Sequence, residues 1–177
     1  MIMEDKFMGN INRPKLDSED IELMRKIGRH NFVNMIYIYK FYKTKCKKET
    51  VKRRIIQLAK YKYLNVFETF VPPEYTAKKM KGYKIVALDV KGIEVMKDLG
   101  AEVETNLKAL KNASSYRMYH QCQVAMVCDS LEHEFKRSES KFEVAEIYNE
   151  KELFVKGAGN MPDAVILFRP KAEYLMS

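Results

Sequence analysis

The chain has 177 residues, 46% hydrophobic and 32% charged, with only seven Gly and five Pro, which excludes a low-complexity polypeptide and indicates a globular protein with one core or two small ones. Its early apolar run, Phe32 to Tyr39, is interrupted by Asn34 and is far shorter than the roughly 20 residues of a membrane span, so we expect neither a transmembrane span nor a signal peptide. Three cysteines without a CxxC pair indicate reduced thiols in a cytoplasmic protein.

The net charge of +8 is distributed unevenly along the chain. Residues 1–100 contain 22 Lys/Arg and 12 Asp/Glu, whereas residues 101–177 contain 10 and 12. The segment Lys40–Lys62 alone contains ten Lys/Arg and a single acid, Glu49. We therefore expect the first half to bind a polyanion and the second half to have a different task.

The first predicted elements are an arm and two helices. Residues 1–16 have no helical period and are predicted to form a flexible arm. The capping residues of Asp17–Asp20 and the apolar period after them predict a helix that ends near His30. Asn34 is positioned to cap a second, buried helix over Met35–Tyr42, although the high apolar and β-branched content of this segment leaves a strand as the alternative.

After a basic turn over Lys43–Lys48, the segment Glu49–Tyr61 is predicted to form an amphipathic helix. Its buried side consists of Val51, Ile55, Leu58 and Ala59. Its outer side consists of Thr50, Arg53, Arg54, Gln57 and Lys60. A helix of this kind either binds a polyanion or is a solvated basic surface, and the neighbouring elements decide between the two.

A hairpin and a further helix follow. Tyr63–Val71 and Tyr83–Leu88 alternate as strands do, and the loop between them has a basic tip at Lys78–Gly82. Asp89 is then positioned to cap a helix that Gly100 can end.

The order of helix, helix, basic helix, hairpin and helix over residues 17–112 predicts a winged helix-turn-helix domain that binds double-stranded DNA. The residues that we expect to face base edges are Thr50, Arg53, Arg54 and Gln57. Those that we expect to contact phosphates are Lys47, Lys48, Lys52 and Lys60, with Lys78, Lys79 and Lys81 on the wing.

Residues 113–177 are predicted to form a small α/β domain, which makes the whole chain α+β. A helix is expected from Ser115 toward Phe135, and strands over Phe142–Tyr148 and Ala164–Phe168. Together they indicate a helix packed on a short sheet.

Other candidate sites carry weaker signals. His120, Cys122, Cys128 and His133 could be considered for zinc, but on one helix these residues point in different directions. Stacking on bases is an alternative for the tyrosines, which at this spacing are more often core and rim residues: Tyr37, Tyr39, Tyr42, Tyr61 and Tyr63. The pair Gly157 and Gly159 is too short for a phosphate loop. We expect no catalytic residue, metal or cofactor.

Features in both halves of the chain resemble one protein family. The resemblance is carried by the hairpin return Leu88–Gly92, the helix with His120, an acidic strand with Glu143 and Glu146, and Pro-Asp-Ala-Val-Ile-Leu at Pro162–Leu167. These features, over most of residues 17–169, resemble the plasmid replication-relaxation proteins. The resemblance implies a DNA-binding protein of a plasmid or another mobile element, because such proteins are implicated in replication or DNA relaxation. The expected role is replication, DNA transfer or its control.

The resemblance also implies a later domain like the core of a metal-dependent nuclease, which needs an Asp at a strand start and a Glu-x-Lys on the next strand to hold Mg²⁺. Asp163 fits the first requirement, but after Phe168 the chain offers only Arg169, Lys171 and Glu173. We therefore expect a truncated, non-catalytic domain.

Sequence-specific binding of double-stranded DNA is thus the expected function, and residues 113–177 are expected to contact a second copy or a replication or transfer protein. Two alternatives remain open. One is a winged-helix transcriptional repressor whose later domain dimerises or senses a ligand. The other is a metal-dependent DNA nuclease.

Overall fold

The computed structural model describes residues 14–69, 83–101, 103, 112–137, 140–149 and 163–172. Within these residues the chain is α+β, with five helices and five strands. In chain order they are α1 (Ser18–His30), β1 (Val33–Asn34), α2 (Met35–Phe41), α3 (Lys48–Lys60), β2 (Leu64–Thr69), β3 (Tyr83–Leu88), α4 (Val90–Asp98), α5 (Ser115–Arg137), β4 (Phe142–Asn149) and β5 (Ala164–Pro170). None of these helices has both the length and the apolar character needed to cross a bilayer.

Three helix starts follow from local capping residues. Asp17 and Asp20 form a reciprocal capping box at α1, in which the backbone N–H of Asp20 donates to Asp17 Oδ1 at 2.8 Å and that of Asp17 donates to Asp20 Oδ2 at 3.0 Å. At α2, Asn34 Oδ1 accepts from the N–H of Tyr37 at 2.7 Å. Asp89 caps α4. These contacts confirm the predicted starts, and α2 is a helix rather than the alternative strand.

The strands form two separate antiparallel sheets. The first has the order β1-β3-β2, in which β2 and β3 pair along their whole lengths as the predicted hairpin. The short strand β1 adds Val33 opposite Val86. The second sheet consists of β4 and β5, with a bulge between Val144 and Glu146.

The strand β3 contributes to two apolar clusters, because alternate residues of a strand lie on opposite faces of its sheet. Val86 and Leu88 belong to the main core, which contains buried residues of α1 to α4. The second cluster consists of Phe32, Tyr83, Ile85, Ala87, Met118 and Cys122. Since Met118 and Cys122 lie on α5, this helix covers the second face of the first sheet. The helix predicted within residues 113–177 therefore shares the core of the first half.

A buried carboxylate also fixes α5 against α1 and α2. Asp129 is fully buried, and its Oδ1 lies 2.9 Å from His30 Nε2. Its Oδ2 accepts hydrogen bonds from Lys26 Nζ, at 3.0 Å, and from the hydroxyl of Tyr37. Arg29 Nη1 lies 3.7 Å from Oδ1. One carboxylate of α5 is therefore held by three residues of α1 and one of α2.

Replacing Gly92 by alanine is expected to lower the free energy of unfolding by about 3 kcal/mol, through overpacking. A Cβ at this position would lie 2.1 Å from the carbonyl oxygen of Tyr63, which is a backbone atom and cannot rotate away. The N–H of Lys91 donates to the carbonyl of Lys62 at 3.1 Å, so α4 is held close to this segment.

Urea denaturation would measure this loss. Gly100→Ala is the control, because nothing lies within 4 Å of its Cβ position and only its φ of 73° opposes a side chain. Such strain costs about 1–2 kcal/mol. A loss at Gly92 no larger than the loss at Gly100 would contradict the steric argument.

Candidate nucleic-acid interface

The exposed side of α3 is a continuous basic stripe. Val51, Ile55 and Leu58 are buried in the main core, which confirms this part of the predicted buried side. The basic stripe consists of the exposed residues Lys48, Glu49, Thr50, Lys52, Arg53, Ile56, Gln57 and Lys60. Each of these positions has another member of the set three or four residues away, so together they follow one side of the helix. Glu49 is the single acid of α3 and lies 3.8 Å from Lys52 Nζ, so the stripe keeps a net positive charge.

Arg54 departs from the prediction that it faces a base edge. Its side chain is only 17% exposed, and its Nη2 lies 2.5 Å from Oδ2 of the fully buried Asp20. Its Nε donates to the other oxygen of Asp20 at 3.2 Å, and its Nη2 also donates to the carbonyl of Lys15 at 2.7 Å. The hydrogen bond with Asp20 raises the pKa of Arg54 despite partial burial. The guanidinium thus joins α3 to α1.

Acids at the N-terminal end of α1 also neutralise part of the turn before α3. Lys43 is 14% exposed, and its Nζ lies 2.5 Å from Asp17 Oδ2 and 3.2 Å from Glu19 Oε2. Lys40 Nζ, by contrast, donates to Ser130 Oγ of α5 at 2.7 Å. The basic segment therefore divides into cations that hold elements together and cations of the exposed stripe.

The N-terminal end of α3 adds to the positive potential of the stripe. Lys47 is the N-cap residue, and its side chain makes no capping hydrogen bond. The next residue, Lys48, has its Nζ 5.6 Å from the ring centroid of Tyr39. Because the N–H groups of a first helical turn carry partial positive charge, an anion is favoured here beside the two lysines.

The structure brings most of the predicted DNA contacts together on α3 and its first turn. The exposed ones are Lys47, Lys48, Thr50, Lys52, Arg53, Gln57 and Lys60. Lys78, Lys79 and Lys81 lie outside the described residues. Lys45, Lys62 and Ile56 are also exposed but were not among the predicted contacts. The helical period that predicts Arg53 and Lys60 on the exposed side of α3 also places Ile56 on that side.

The histidines of the second half have other partners, and its two cysteines are free and buried. His120 Nε2 lies 2.8 Å from Asp163 Oδ1, and both side chains are exposed. Burial raises the pKa of the Cys122 thiol to about 12, and Cys128 is buried as well. His133 packs edge-on against the ring of Phe41. In the described part of the chain, no group of three or more His, Cys, Asp or Glu residues is arranged to hold a metal ion.

Two of the tyrosines considered for base stacking are core residues. Tyr37 and Tyr42 are buried, and their hydroxyls donate to Asp129 and Asp20. Burial raises the pKa of both hydroxyls. The stacking alternative therefore fails for these two residues.

Comparisons with known proteins identify no relative of this chain. No protein-family model matches the chain. No curated protein matches it, and no solved structure matches it. A functional assignment therefore depends on the charge and geometry of α3 and its neighbours.

Proposed function

We propose that this chain is a winged-helix protein that binds double-stranded DNA by placing α3 in the major groove. The observation that carries the proposal is the basic stripe, where Lys48, Lys52, Arg53 and Lys60 are exposed beside a single acid. An α-helix with its side chains is about 10–12 Å across and fits the major groove, about 12 Å wide.

The arrangement of the neighbouring elements supports the proposal. The order α1, β1, α2, α3, β2, β3, with β3 between β1 and β2, agrees with a winged helix-turn-helix plan. In helix-turn-helix domains the second helix of the turn lies in the major groove. On this chain that helix is α3, and the hairpin of β2 and β3 is the wing.

In this proposal, Arg53 pairs with guanine and Gln57 with adenine, which are the bidentate partners that their side chains favour. Arg54 Nη1 donates to Gln57 Oε1 at 2.7 Å, so Arg54 positions the Gln57 amide instead of contacting DNA itself. Thr50 lies one turn before Arg54 and contacts a base or a phosphate. The phosphate contacts are Lys47, Lys48, Lys52 and Lys60, with Lys78, Lys79 and Lys81 of the wing.

The proposed biological role is replication, DNA transfer or their control on a plasmid or another mobile element. The resemblance to plasmid replication-relaxation proteins supports this role. The second half is negatively charged overall, so it contacts a second copy or a replication or transfer protein instead of DNA. The mechanism is binding without turnover.

The affinity for a random-sequence duplex is expected to fall steeply as salt rises. Seven phosphate-contacting lysines predict a slope of about −6 for log K against log[salt]. Lys52→Ala and Lys60→Ala are each expected to reduce the steepness of this slope by about 1, because each removes one phosphate contact. Fluorescence anisotropy titrations at a series of NaCl concentrations give the slopes.

The matched control is Lys97→Ala, which removes an exposed lysine from α4 and should leave the slope unchanged. An affinity that hardly changes between low and physiological salt would contradict the proposal. So would equal effects of the three lysine substitutions.

A further inference from the structure

The basic stripe contains one large aliphatic side chain that the core does not use. Ile56 is 57% exposed, whereas its neighbour Ile55 is buried together with Val51 and Leu58. The buried side of α3 is therefore complete without Ile56. Its sec-butyl side chain is exposed to solvent on the side of the helix that is otherwise charged and polar.

The neighbours of Ile56 restrict what can cover it. Residues three and four positions away are adjacent on a helix surface, and these are Lys52, Arg53, Ala59 and Lys60. The three cations are exposed, and Glu49, the single acid of α3, lies beside Lys52. An apolar protein surface placed over Ile56 would have to desolvate three cations, whereas a duplex neutralises them with phosphates. The charge around Ile56 therefore favours DNA as the occupant.

We propose that Ile56 contacts the C5-methyl group of a thymine in the major groove and sets a preference for an A·T pair at that position. The thymine methyl is the apolar group that the major groove presents, and aliphatic side chains recognise it by contact. The inference rests on the proposed function. It places the thymine beside the base pairs that Arg53 and Gln57 contact, because Arg53 lies one turn before Ile56 and Gln57 follows Ile56 directly on the stripe.

The test uses the full chain and removes the methyl group from the DNA. A preferred duplex is first selected from a random pool, and each thymine in it is then replaced singly by deoxyuridine. The wild type is expected to lose about fourfold in affinity at one thymine, the factor that corresponds to one buried methyl group. Ile56→Ala is expected to bind the original duplex about as weakly as the wild type binds the uracil duplex, and to show no further loss at that position.

Val127→Ala is the matched control, because Val127 is equally exposed, at 57%, but lies on α5. It should keep the wild-type pattern of uracil sensitivity. Unchanged uracil sensitivity in Ile56→Ala, or a selected duplex with no sensitive thymine, would overturn the inference while DNA binding stands. Failure of the wild type to bind any duplex would overturn the proposed function, and the inference with it.

Discussion

Asp129→Ala is expected to lower the free energy of unfolding by about 3–5 kcal/mol, the cost of removing one partner from a buried ionic contact. The carboxylate is fully buried and accepts from Lys26, His30 and Tyr37. Its loss leaves these donors without their acceptor between α1, α2 and α5. Because α5 also covers one face of the first sheet, we expect the loss to extend to the whole described core.

Urea denaturation followed by circular dichroism measures the change. Glu134→Ala is the matched control, since Glu134 is an exposed acid on the same helix and its removal should change stability by less than about 0.5 kcal/mol. A loss in Asp129→Ala as small as that of the control would show that the buried contacts do not hold α5 in place.

The pH dependence of stability gives a second readout for this carboxylate. Burial opposes the ionisation of Asp129, but the hydrogen bond and charge of His30 and the hydrogen bond of Tyr37 outweigh it and lower the pKa of Asp129 below its ordinary value. A lowered pKa means that the stabilisation is present above the unfolded pKa of about 3.9 and is lost as the pH falls below it. Asp129→Asn should therefore lose less stability between neutral pH and about pH 2 than the wild type does.

The helices were predictable from the sequence where local residues determine them. Asp17, Asn34 and Asp89 cap the helices that follow them, and a cap depends on contacts within a few residues. The strand β1 was not predicted, because two residues become a strand only when β3 lies beside them. The packing of α5 on the first sheet was not predicted either, because Met118 and Cys122 contact residues of that sheet that are distant in sequence.

The candidate site was likewise predictable only where the local helical period determines it. The helical period identifies which residues of α3 are exposed, and Lys52, Arg53 and Lys60 are exposed as that period predicts. It cannot identify a partner that is distant in sequence. Arg54 lies at the edge between the two sides of α3, and Asp20, which engages it, lies on another helix. The period of α3 therefore could not predict the contact between Arg54 and Asp20, which depends on tertiary structure.

Arg54→Ala is expected to lower the free energy of unfolding by about 3–5 kcal/mol, because it leaves a buried carboxylate without its cation. The Asp20 side chain is fully buried, and without Arg54 it keeps the hydroxyl of Tyr42 and the N–H of Asp17 as partners. The adjacent Arg53→Ala is the matched control. Arg53 is exposed, so its loss should change stability by less than about 0.5 kcal/mol.

The two arginine variants are also expected to differ in their effects on DNA binding. Arg53→Ala is expected to weaken binding to the selected duplex by about tenfold and to relax the preference at one base pair, because a bidentate contact to a base contributes about 1–3 kcal/mol. Arg54→Ala, assayed well below its unfolding temperature, should keep the wild-type preference at the base pair that Arg53 contacts. It should weaken only the preference at the adenine that Gln57 contacts, because Arg54 positions the Gln57 amide. Substituting Asp20 with Asn in the Arg54→Ala background removes the unpaired charge and should recover part of the lost stability. If Arg54→Ala instead kept the wild-type stability and lost the preference for one base pair, Arg54 would be a base contact, as the helical period alone predicts.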